Sequence, residues 1–410
     1  MITLPGENSI CKDKNVLIVC KENIEVTSEL YYLIEKFCGI IVKNISEIRT
    51  PLDDKIIYAC GDIEQLQYDG TPLNIIKELS ENFENLNDKN IQFTTLGKVP
   101  VVISNAGVYY RDLFNDNDYF ETIKSEHAFQ YLTESNKESK ALRTGIYLTE
   151  IQKEETEDKN DVLNFRLLRC SSNFTGPTDN FRTTDHIIIN TLNSAIQYTF
   201  EKQIKLNHVL AQIYENKLKS EDNAKEVKSK IKAHSDKTKD MPKDGIIAFC
   251  TFYDKSNFNQ LTQSKTDRYD WCYKKSSGFT RLHFKLKSTV SDSTLEKEFS
   301  VTLYPNSAFL IPLSTNRLYT HEIKPSVLNV DQIPIRMGYV ARCSNLEAVY
   351  MNNQTFIKEN GELIKLEQMT SETMVDLRNT YYEENISEKN VEYGKIHFSM
   401  NSGDYEKPIY

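Results

Sequence analysis

The 410-residue chain lacks an apolar run long enough to cross a bilayer, and residues 1–13 lack the basic and apolar segments of a secretory signal. We therefore expect a soluble protein of the cytosol or nucleus that has no membrane partner. The eight cysteines include no Cys-x-x-Cys pair, which argues against a zinc knuckle or a disulfide framework and predicts reduced thiols. A formal net charge of −9 provides no general attraction to phosphates, so contact with nucleic acid requires a local basic surface.

The N-terminal part of the chain lacks a glycine-rich phosphate loop, which argues against nucleotide binding there. Residues 15–20 and 55–60 are apolar runs typical of buried strands, whereas residues 26–37 and 72–86 have helical patterns. This alternation predicts a small α/β domain over residues 1–95, for which packing is the favoured role.

Between residues 96 and 200 the pattern changes to short strands and one helix. Residues 143–151 and 164–170 are strand candidates that flank an acidic stretch, and together they predict a β-hairpin. Residues 184–200 have a helical period, with Asp185 available as an N-terminal cap. These elements form the second predicted region of the chain.

The third region, residues 201–345, contains many short strands and no helix of convincing length. Its strand-like runs are residues 229–234, 245–253, 279–287, 297–303, 308–313, 317–323 and 335–343. Such a pattern favours a double-sheet β architecture such as a jelly roll, or double-stranded β-helix, over a fold that alternates strands and helices. The expected fold class is therefore α+β. Residues 346–410 form an acidic C-terminal extension, with twelve Asp and Glu against six Lys and Arg.

Two histidines and one aspartate in the third region have the spacing of a metal site. His234 and Asp236 are the first and third residues of an extended segment, so their side chains point the same way. His321 follows Asp236 by 85 positions, in another strand candidate. Two imidazoles and one carboxylate on one face of an octahedral ion leave three positions open, as non-haem iron(II) requires for a chelating co-substrate and oxygen. Taken alone, His-x-Asp is also the pattern of a surface histidine and a capping aspartate.

The other histidines lack a partnered spacing, and we interpret each of them as a structural or surface residue. They are His127, His186, His208, His283 and His397. Among these, His283 is the only rival ligand, because it lies in a strand of the presumed β core.

Two arginines follow the candidate ligands at a spacing that suits a dicarboxylate co-substrate. Arg336 lies 15 positions after His321 and six positions before Arg342. In a strand, the even separation places both arginines on one face, together with Gly338 and Val340. The planar fork of arginine pairs with a carboxylate through two hydrogen bonds. An inward-facing Arg336 would bind such a co-substrate, and the alternative is an arginine that faces solvent.

The combined pattern resembles the AlkB-like branch of the iron(II)- and 2-oxoglutarate-dependent dioxygenases, over residues 101–345. The motifs that carry the resemblance are Ala211-Gln-Ile-Tyr214, His234-Ser-Asp236, Tyr319-Thr-His321 and Arg336-x5-Arg342. The resemblance implies that iron(II) is bound by the two histidines and the aspartate, and 2-oxoglutarate by Gln212, Tyr214, Arg336 and Arg342. Tyr214 would hydrogen-bond 2-oxoglutarate, Arg336 would bind its distal carboxylate, and Arg342 would lie near its metal-chelating end. The chain departs from the family at Gln212, where Asn is usual, and at Gly338, where a polar residue often assists the co-substrate.

The same resemblance implies an enzyme that uses O2 and 2-oxoglutarate to hydroxylate a C–H bond, with release of succinate and CO2. It also implies that residues 96–200 form a lid and support region. Hydroxylation of an N-methyl group ends in demethylation, so the leading hypothesis is an alkylated nucleobase in DNA or RNA as the substrate. Residues 202–243, with eleven Lys against six Asp and Glu, would supply the basic surface. A protein side chain or a small metabolite is the alternative substrate. A non-catalytic binding module on the same fold is a third hypothesis.

Overall fold

The computed structural model describes the chain apart from residues 1–2, 22–23, 49–50, 53, 67, 69, 85–87, 115–116, 132, 135–136, 139–141, 156–160, 170–175 and 219–224. The chain is of the α+β class, as expected, because most of its elements are strands of several sheets and its helices are few. No helix in the described part of the chain is long and apolar enough to span a membrane.

The N-terminal elements form a parallel sheet and one helix. They are β1 (Asn15–Cys20), α1 (Glu29–Lys36), β2 (Ile40–Val42), β3 (Ile56–Asp62), β4 (Leu73–Glu81) and β5 (Ile91–Thr94), and the strand order is β2-β1-β3-β4-β5. Every residue of β1 is buried, as is typical of a parallel strand that is covered on both faces. Val16 and Ile18 enter one apolar cluster. Leu17 and Val19 enter a second cluster, which also contains residues of the sheets that follow, so this sheet shares a core with the rest of the chain.

The helix expected over residues 72–86 is wrong, because most of that segment forms strand β4. This strand pairs in parallel with both β3 and β5. Leu73, Ile75 and Ile76 are buried in it. Their spacing suits both a helix and a strand, and pairing with two neighbouring strands decides between them. Residues 85 and 86 of the expected helix lie outside the described residues.

The rest of the chain consists of further strands and four helices among the described residues. The second region contains β6 (Val101–Ile103), β7 (Gly107–Tyr110), α2 (Tyr119–Glu126), β8 (Gln130–Tyr131), β9 (Thr133–Glu134), β10 (Lys137–Glu138), β11 (Arg143–Thr149), β12 (Gln152–Glu155), β13 (Asp161–Leu167), β14 (Asp179–Asn180) and α3 (Thr183–Gln197). The third contains β15 (His208–Tyr214), β16 (Ile231–His234), β17 (Ile246–Tyr253), β18 (Thr262–Gln263), β19 (Trp271–Tyr273), β20 (Ser276–Ser277), β21 (Arg281–Leu286), β22 (Glu298–Thr302), β23 (Ser307–Pro312), α4 (Leu313–Leu318), β24 (Tyr319–Ile323) and β25 (Arg336–Arg342). The last elements are β26 (Leu346–Met351), β27 (Gln354–Glu359), β28 (Glu362–Lys365) and α5 (Ser371–Ile386).

Two sheets face each other in the middle of the molecule. The larger has the order β14-β11-β15-β25-β17-β23-β7-β6, with β8 beside β11, and is antiparallel except where β14 meets β11. The smaller has the order β16-β24-β21-β22 and is antiparallel throughout. Side chains of the two sheets meet between them, since the ring of Phe249 in β17 lies 6.5 Å from that of Phe284 in β21. On its other face the larger sheet packs against α2 and α3, in a cluster that includes Tyr339 of β25. Alternate residues of β25 therefore face either the helices or the smaller sheet.

The strands expected between residues 229 and 343 are confirmed in order, as β16, β17 and β21–β25. One boundary differs, because Arg317 and Leu318 belong to α4, and the strand begins at Tyr319. Asp185 is not the cap of α3 but its third residue, and its carboxylate accepts a hydrogen bond from Arg182 N.

The hairpin expected from residues 143–151 and 164–170 is wrong. β11 pairs with β15 in the larger sheet, whereas β13 pairs with β12 and β26 in another sheet, of order β12-β13-β26-β27-β28. Residue 170 of the second candidate lies outside the described residues. The C-terminal segment thus supplies three strands to this sheet, and its helix α5 packs beside the end of β16.

Candidate metal centre

Three candidate ligands meet at one edge of the smaller sheet. His234 is the last residue of β16, and it lies directly opposite His321 of β24 in the antiparallel pair. Asp236 follows in the loop after β16, and its Oδ1 lies 3.6 Å from His234 Nε2 and 3.6 Å from His321 Nε2. The three donor atoms all lie within 4.8 Å of one another, so a single ion could contact all of them.

The hydrogen bond of His234 and the pKa of His321 both suit metal binding through Nε2. His234 Nδ1 lies 2.8 Å from the carbonyl oxygen of Lys232. Because a carbonyl oxygen only accepts hydrogen bonds, Nδ1 carries a proton and Nε2 is the nitrogen that is left to face an ion. Burial lowers the pKa of His321 to about 3, so this imidazole is neutral. His321 Nδ1 has no hydrogen-bond partner among the described residues.

Asp236 is oriented by an arginine from the facing sheet. Its Oδ2 accepts hydrogen bonds from Arg342 Nε at 2.8 Å and from Arg342 Nη2 at 2.7 Å. Burial of the carboxyl raises its pKa, but the charge of Arg342, together with the smaller effects of His234 and His321, outweighs burial, and the pKa lies well below its usual range. The two-point contact occupies Oδ2 and leaves Oδ1 turned toward the histidines.

The backbone of Asp236 is held from α4. Asn316 Oδ1 accepts a hydrogen bond from Asp236 N at 2.8 Å, and Asn316 Nδ2 donates to Asp236 O at 2.9 Å. Asn316 is buried, so these bonds form away from solvent. The sequence contains no motif that identifies Asn316, because its role depends on the packing of α4 against the loop.

Arg336 lies on the same face of β25 as Arg342, toward the smaller sheet. It is buried, and its guanidinium carbon lies 4.0 Å from the centre of the Tyr214 ring, in the neighbouring strand β15. The Tyr214 hydroxyl donates to Gln212 Oε1 at 3.0 Å. The structure thus brings together Gln212, Tyr214 and Arg336, which the sequence motifs placed in one site.

Several polar atoms around Arg336 are buried without a partner. Arg336 Nη2, Gln212 Nε2 and Thr251 Oγ1 have no hydrogen-bond partner among the described residues. Gly338 is paired with Gln212 on one side and with Thr251 on the other, so these polar groups surround it. Buried donors without partners cost free energy and are typical of ligand sites. Thr251 is not among the residues predicted from the sequence, although its alternation in phase with Phe249 and Tyr253 places it on this face.

Gly338 leaves the space beside Arg336 open. A Cβ at this position would lie 3.0 Å from Arg336 Nη1 and 3.2 Å from Tyr214 Cε2, tighter than nearly all such contacts. The polar residue that the resemblance would place here would require Arg336 and Tyr214 to shift by a few tenths of an ångström. Gln212 and Thr251 supply polar groups on either side instead.

A cavity of 450 Å³ opens between the two sheets beside this cluster. Tyr214 and Arg336 line it, together with His283 from β21. Three cationic side chains stand around it, namely Lys275, Arg281 and Lys324. His283 lines the cavity but is not part of the cluster formed by the three candidate ligands. The cavity is therefore suited to an anionic small molecule.

A second His and carboxylate cluster joins α2 and α3. His127 Nδ1 lies 2.8 Å from Asp179 Oδ2, and His127 Nε2 lies 2.9 Å from Asp185 Oδ2. Burial lowers the pKa of His127, but the two carboxylates outweigh it and raise the pKa to about 9. Both ring nitrogens are then protonated, which leaves no lone pair for an ion although Glu126, His127 and Asp185 are close enough to share one. This cluster is a buried ion pair network that joins two helices and β14.

No family model and no curated protein matches this chain. A solved structure described as "The structure of OsALKBH1" aligns with 58% of this chain and 96% of that chain, at 11% identity and a TM-score of 0.31. A likeness of this size shows no family.

Proposed function

We propose that the protein is an iron(II)- and 2-oxoglutarate-dependent dioxygenase, in which the two facing sheets form a jelly-roll core. The observation that supports this most directly is the convergence of His234 Nε2, Asp236 Oδ1 and His321 Nε2 at the edge of the smaller sheet. A cavity lined by the buried Arg336 opens between the same two sheets. A non-catalytic module would need neither the metal ligands nor a buried arginine whose Nη2 has no hydrogen-bond partner among the described residues.

The donor set fits a divalent ion of the first transition row. Two neutral imidazoles and one carboxylate bind iron(II) and leave three of its octahedral positions for other ligands. The remaining oxygen of Asp236 is paired with Arg342, so the carboxylate would bind through one oxygen. The rings of Phe249 and Phe284 lie 5.2 and 5.7 Å from that of His321 and shield it from water. Water exclusion strengthens every electrostatic contact at this place.

The unpaired donors fit the distal carboxylate of 2-oxoglutarate. Arg336 would pair with that carboxylate, and Gln212 Nε2 and Thr251 Oγ1 would donate further hydrogen bonds. Tyr214 would hold the guanidinium in place through its ring, and Gly338 would leave room for the ligand. When bound, iron(II) and 2-oxoglutarate supply the oxidation of a substrate C–H bond by O2, with release of succinate and CO2.

The charge around the cavity bears on the class of substrate. Lys275, Arg281 and Lys324 surround the cavity, and the lysine-rich segment lies beside it through Asn216 and Ser229, which also line the cavity. This local positive charge, in a chain of net charge −9, supports an alkylated base in DNA or RNA as the substrate. A protein side chain or a small metabolite is the alternative, and the salt dependence of binding separates the two.

Anaerobic titration of the protein with iron(II) and 2-oxoglutarate tests the metal and co-substrate together. We expect the weak visible charge-transfer band of a chelated 2-oxo acid, and its loss in H234A and in D236A, because each variant lacks one ligand. H283A is the matched control, since it removes a histidine that lines the cavity but lies outside the cluster. The proposal is refuted if the wild type gives no band, or if H234A and D236A retain it with unchanged affinity.

A further inference from the structure

The C-terminal helix α5 contacts the residue that separates two of the candidate ligands. Ser235 lies between His234 and Asp236 and is buried. Its N–H donates to Asn385 Oδ1 of α5 at 2.8 Å, although the two residues are 150 positions apart. Its hydroxyl donates to Tyr319 O at 3.1 Å, in the strand that contains His321. The peptide that connects the ligands is therefore held from α5 on one side and from β24 on the other.

Further contacts attach α5 to the residues that follow Asp236. Lys237 Nζ donates to Tyr381 O at 3.0 Å. Thr238 donates to Glu384 Oε1 through its N–H at 3.1 Å and through its hydroxyl. With the bond to Ser235, α5 therefore contacts three of the first four residues after β16. The loop is thus packed against α5 and not against solvent.

The buried Glu384 of α5 contacts two lysines, which lie in loops that follow strands of the smaller sheet. Glu384 is buried, and its carboxylate lies 3.9 Å from Lys237 Nζ. Lys287, which follows β21, donates from Nζ to Glu384 O at 2.6 Å. Removing one partner of such a buried pair is costly, so α5 has a defined position against the core.

We infer that α5 is a component of the metal centre, in which Asn385 is the positioning residue that fixes the relative orientation of His234 and Asp236. This inference rests on the proposed function. In a His-x-Asp segment the peptide at the middle residue determines how the two side chains point. Asn316 holds this segment at Asp236, and Asn385 holds it at Ser235. Groups that orient metal ligands without touching the metal typically change metal affinity about 10- to 100-fold when they are removed.

Three variants of the full chain separate positioning from simple packing. N385L removes the acceptor and keeps the size of the side chain, whereas N385D keeps an acceptor oxygen. N379L is the matched control, because Asn379 is exposed on the same helix. Each metal-free protein is titrated with cobalt(II), whose visible absorption reports the geometry of its ligands, and is also melted without metal.

We expect N385L to bind cobalt(II) about 10- to 100-fold more weakly than the wild type and with an altered spectrum. N385D and N379L should bind cobalt(II) as the wild type does. The metal-free melting temperature of N385L should be lower than that of N379L, because the buried N–H of Ser235 loses its acceptor, so the affinity and the spectrum of bound cobalt(II) report the positioning. Cobalt(II) binding by N385L that equals the wild type in affinity and spectrum overturns the inference and leaves the proposed function intact. Absence of cobalt(II) and iron(II) binding in the wild type overturns the proposed function itself.

If N385L fails to fold, amide hydrogen exchange of the wild type tests whether α5 is coupled to the metal centre. Cobalt(II) should slow amide exchange both in residues 231–238 and in residues 381–387, because coupling between two sites is reciprocal. Protection of the first segment without any change in the second would overturn the inference.

Discussion

Arg336→Met should have opposite effects on stability and on co-substrate binding. Arg336 is buried, its Nη2 has no hydrogen-bond partner among the described residues, and its guanidinium stacks on Tyr214. If Arg336 stabilised the fold, its replacement would lower the free energy of unfolding. If Arg336 instead binds an anionic ligand, its buried and unpaired donor lowers the free energy of unfolding of the ligand-free protein, and ligand binding offsets this loss.

The contacts of Arg336 set the size of both effects. An unpaired buried donor costs about 1–3 kcal/mol, and more if it is charged. The guanidinium 4.0 Å from the Tyr214 ring centre recovers about 0.5–2 kcal/mol of this. Methionine keeps the contact with the ring and removes the charge, so R336M should unfold no more easily than the wild type. Loss of a buried charge pair with 2-oxoglutarate costs about 2–5 kcal/mol, which lowers the affinity for 2-oxoglutarate about 30- to 5000-fold.

Two measurements on metal-loaded and metal-free protein test this. Urea unfolding of the metal-free protein gives the free energy of unfolding, and anaerobic calorimetric titration of the iron(II)-loaded protein gives the affinity for 2-oxoglutarate. Arg281→Met is the control, because Arg281 is exposed at the rim of the same cavity and its loss removes the same charge. If R336M is clearly destabilised and binds 2-oxoglutarate as the wild type does, Arg336 is a structural residue and the assignment fails.

Arg342→Lys keeps the charge but loses the two-point contact with Asp236, so the affinity for cobalt(II) should fall about 10- to 100-fold, and an unchanged titration would contradict the role of Arg342. The pKa of His127 is raised to about 9, so its ion pairs with Asp179 and Asp185 stabilise the fold fully below pH 6.5 and progressively less as the pH rises through 9. The difference in unfolding free energy between wild type and H127Q should therefore shrink by about 3 kcal/mol from pH 6 to pH 10, and a difference independent of pH would exclude this reasoning. If the substrate is a nucleic acid, oligonucleotide binding should weaken with salt at a log–log slope of about −0.7 per phosphate contacted, and substitution of five lysines by Gln should flatten the slope without changing turnover of 2-oxoglutarate alone. Those lysines are Lys217, Lys219, Lys225, Lys228 and Lys230, of which Lys219 lies outside the described residues. Absence of binding at low salt would favour a protein or metabolite substrate.

Local periodicity was sufficient to predict the strands around the candidate site. In β17 and β25 alternate residues face two different apolar clusters. The sequence of each strand therefore has the two-residue repeat that predicts a strand. The same repeat predicts that Arg336 and Arg342 share a face, and both contact partners there. The spacing of His234 and Asp236 is likewise a local feature, which is why the sequence alone singled them out.

Pairing between distant segments was decided only by the tertiary structure. The apolar residues of β4 fit a helix as well as a strand, and its two parallel neighbours select the strand. The sequence does not show that β11 and β13 join different sheets, nor that Thr251 lies beside Gly338. The contact of Asn385 was the least predictable from the sequence, because this residue of the acidic C-terminal segment binds Ser235, between two candidate ligands. A residue pattern records only which faces of an element are apolar, whereas the choice of partner depends on the surface that the whole chain buries.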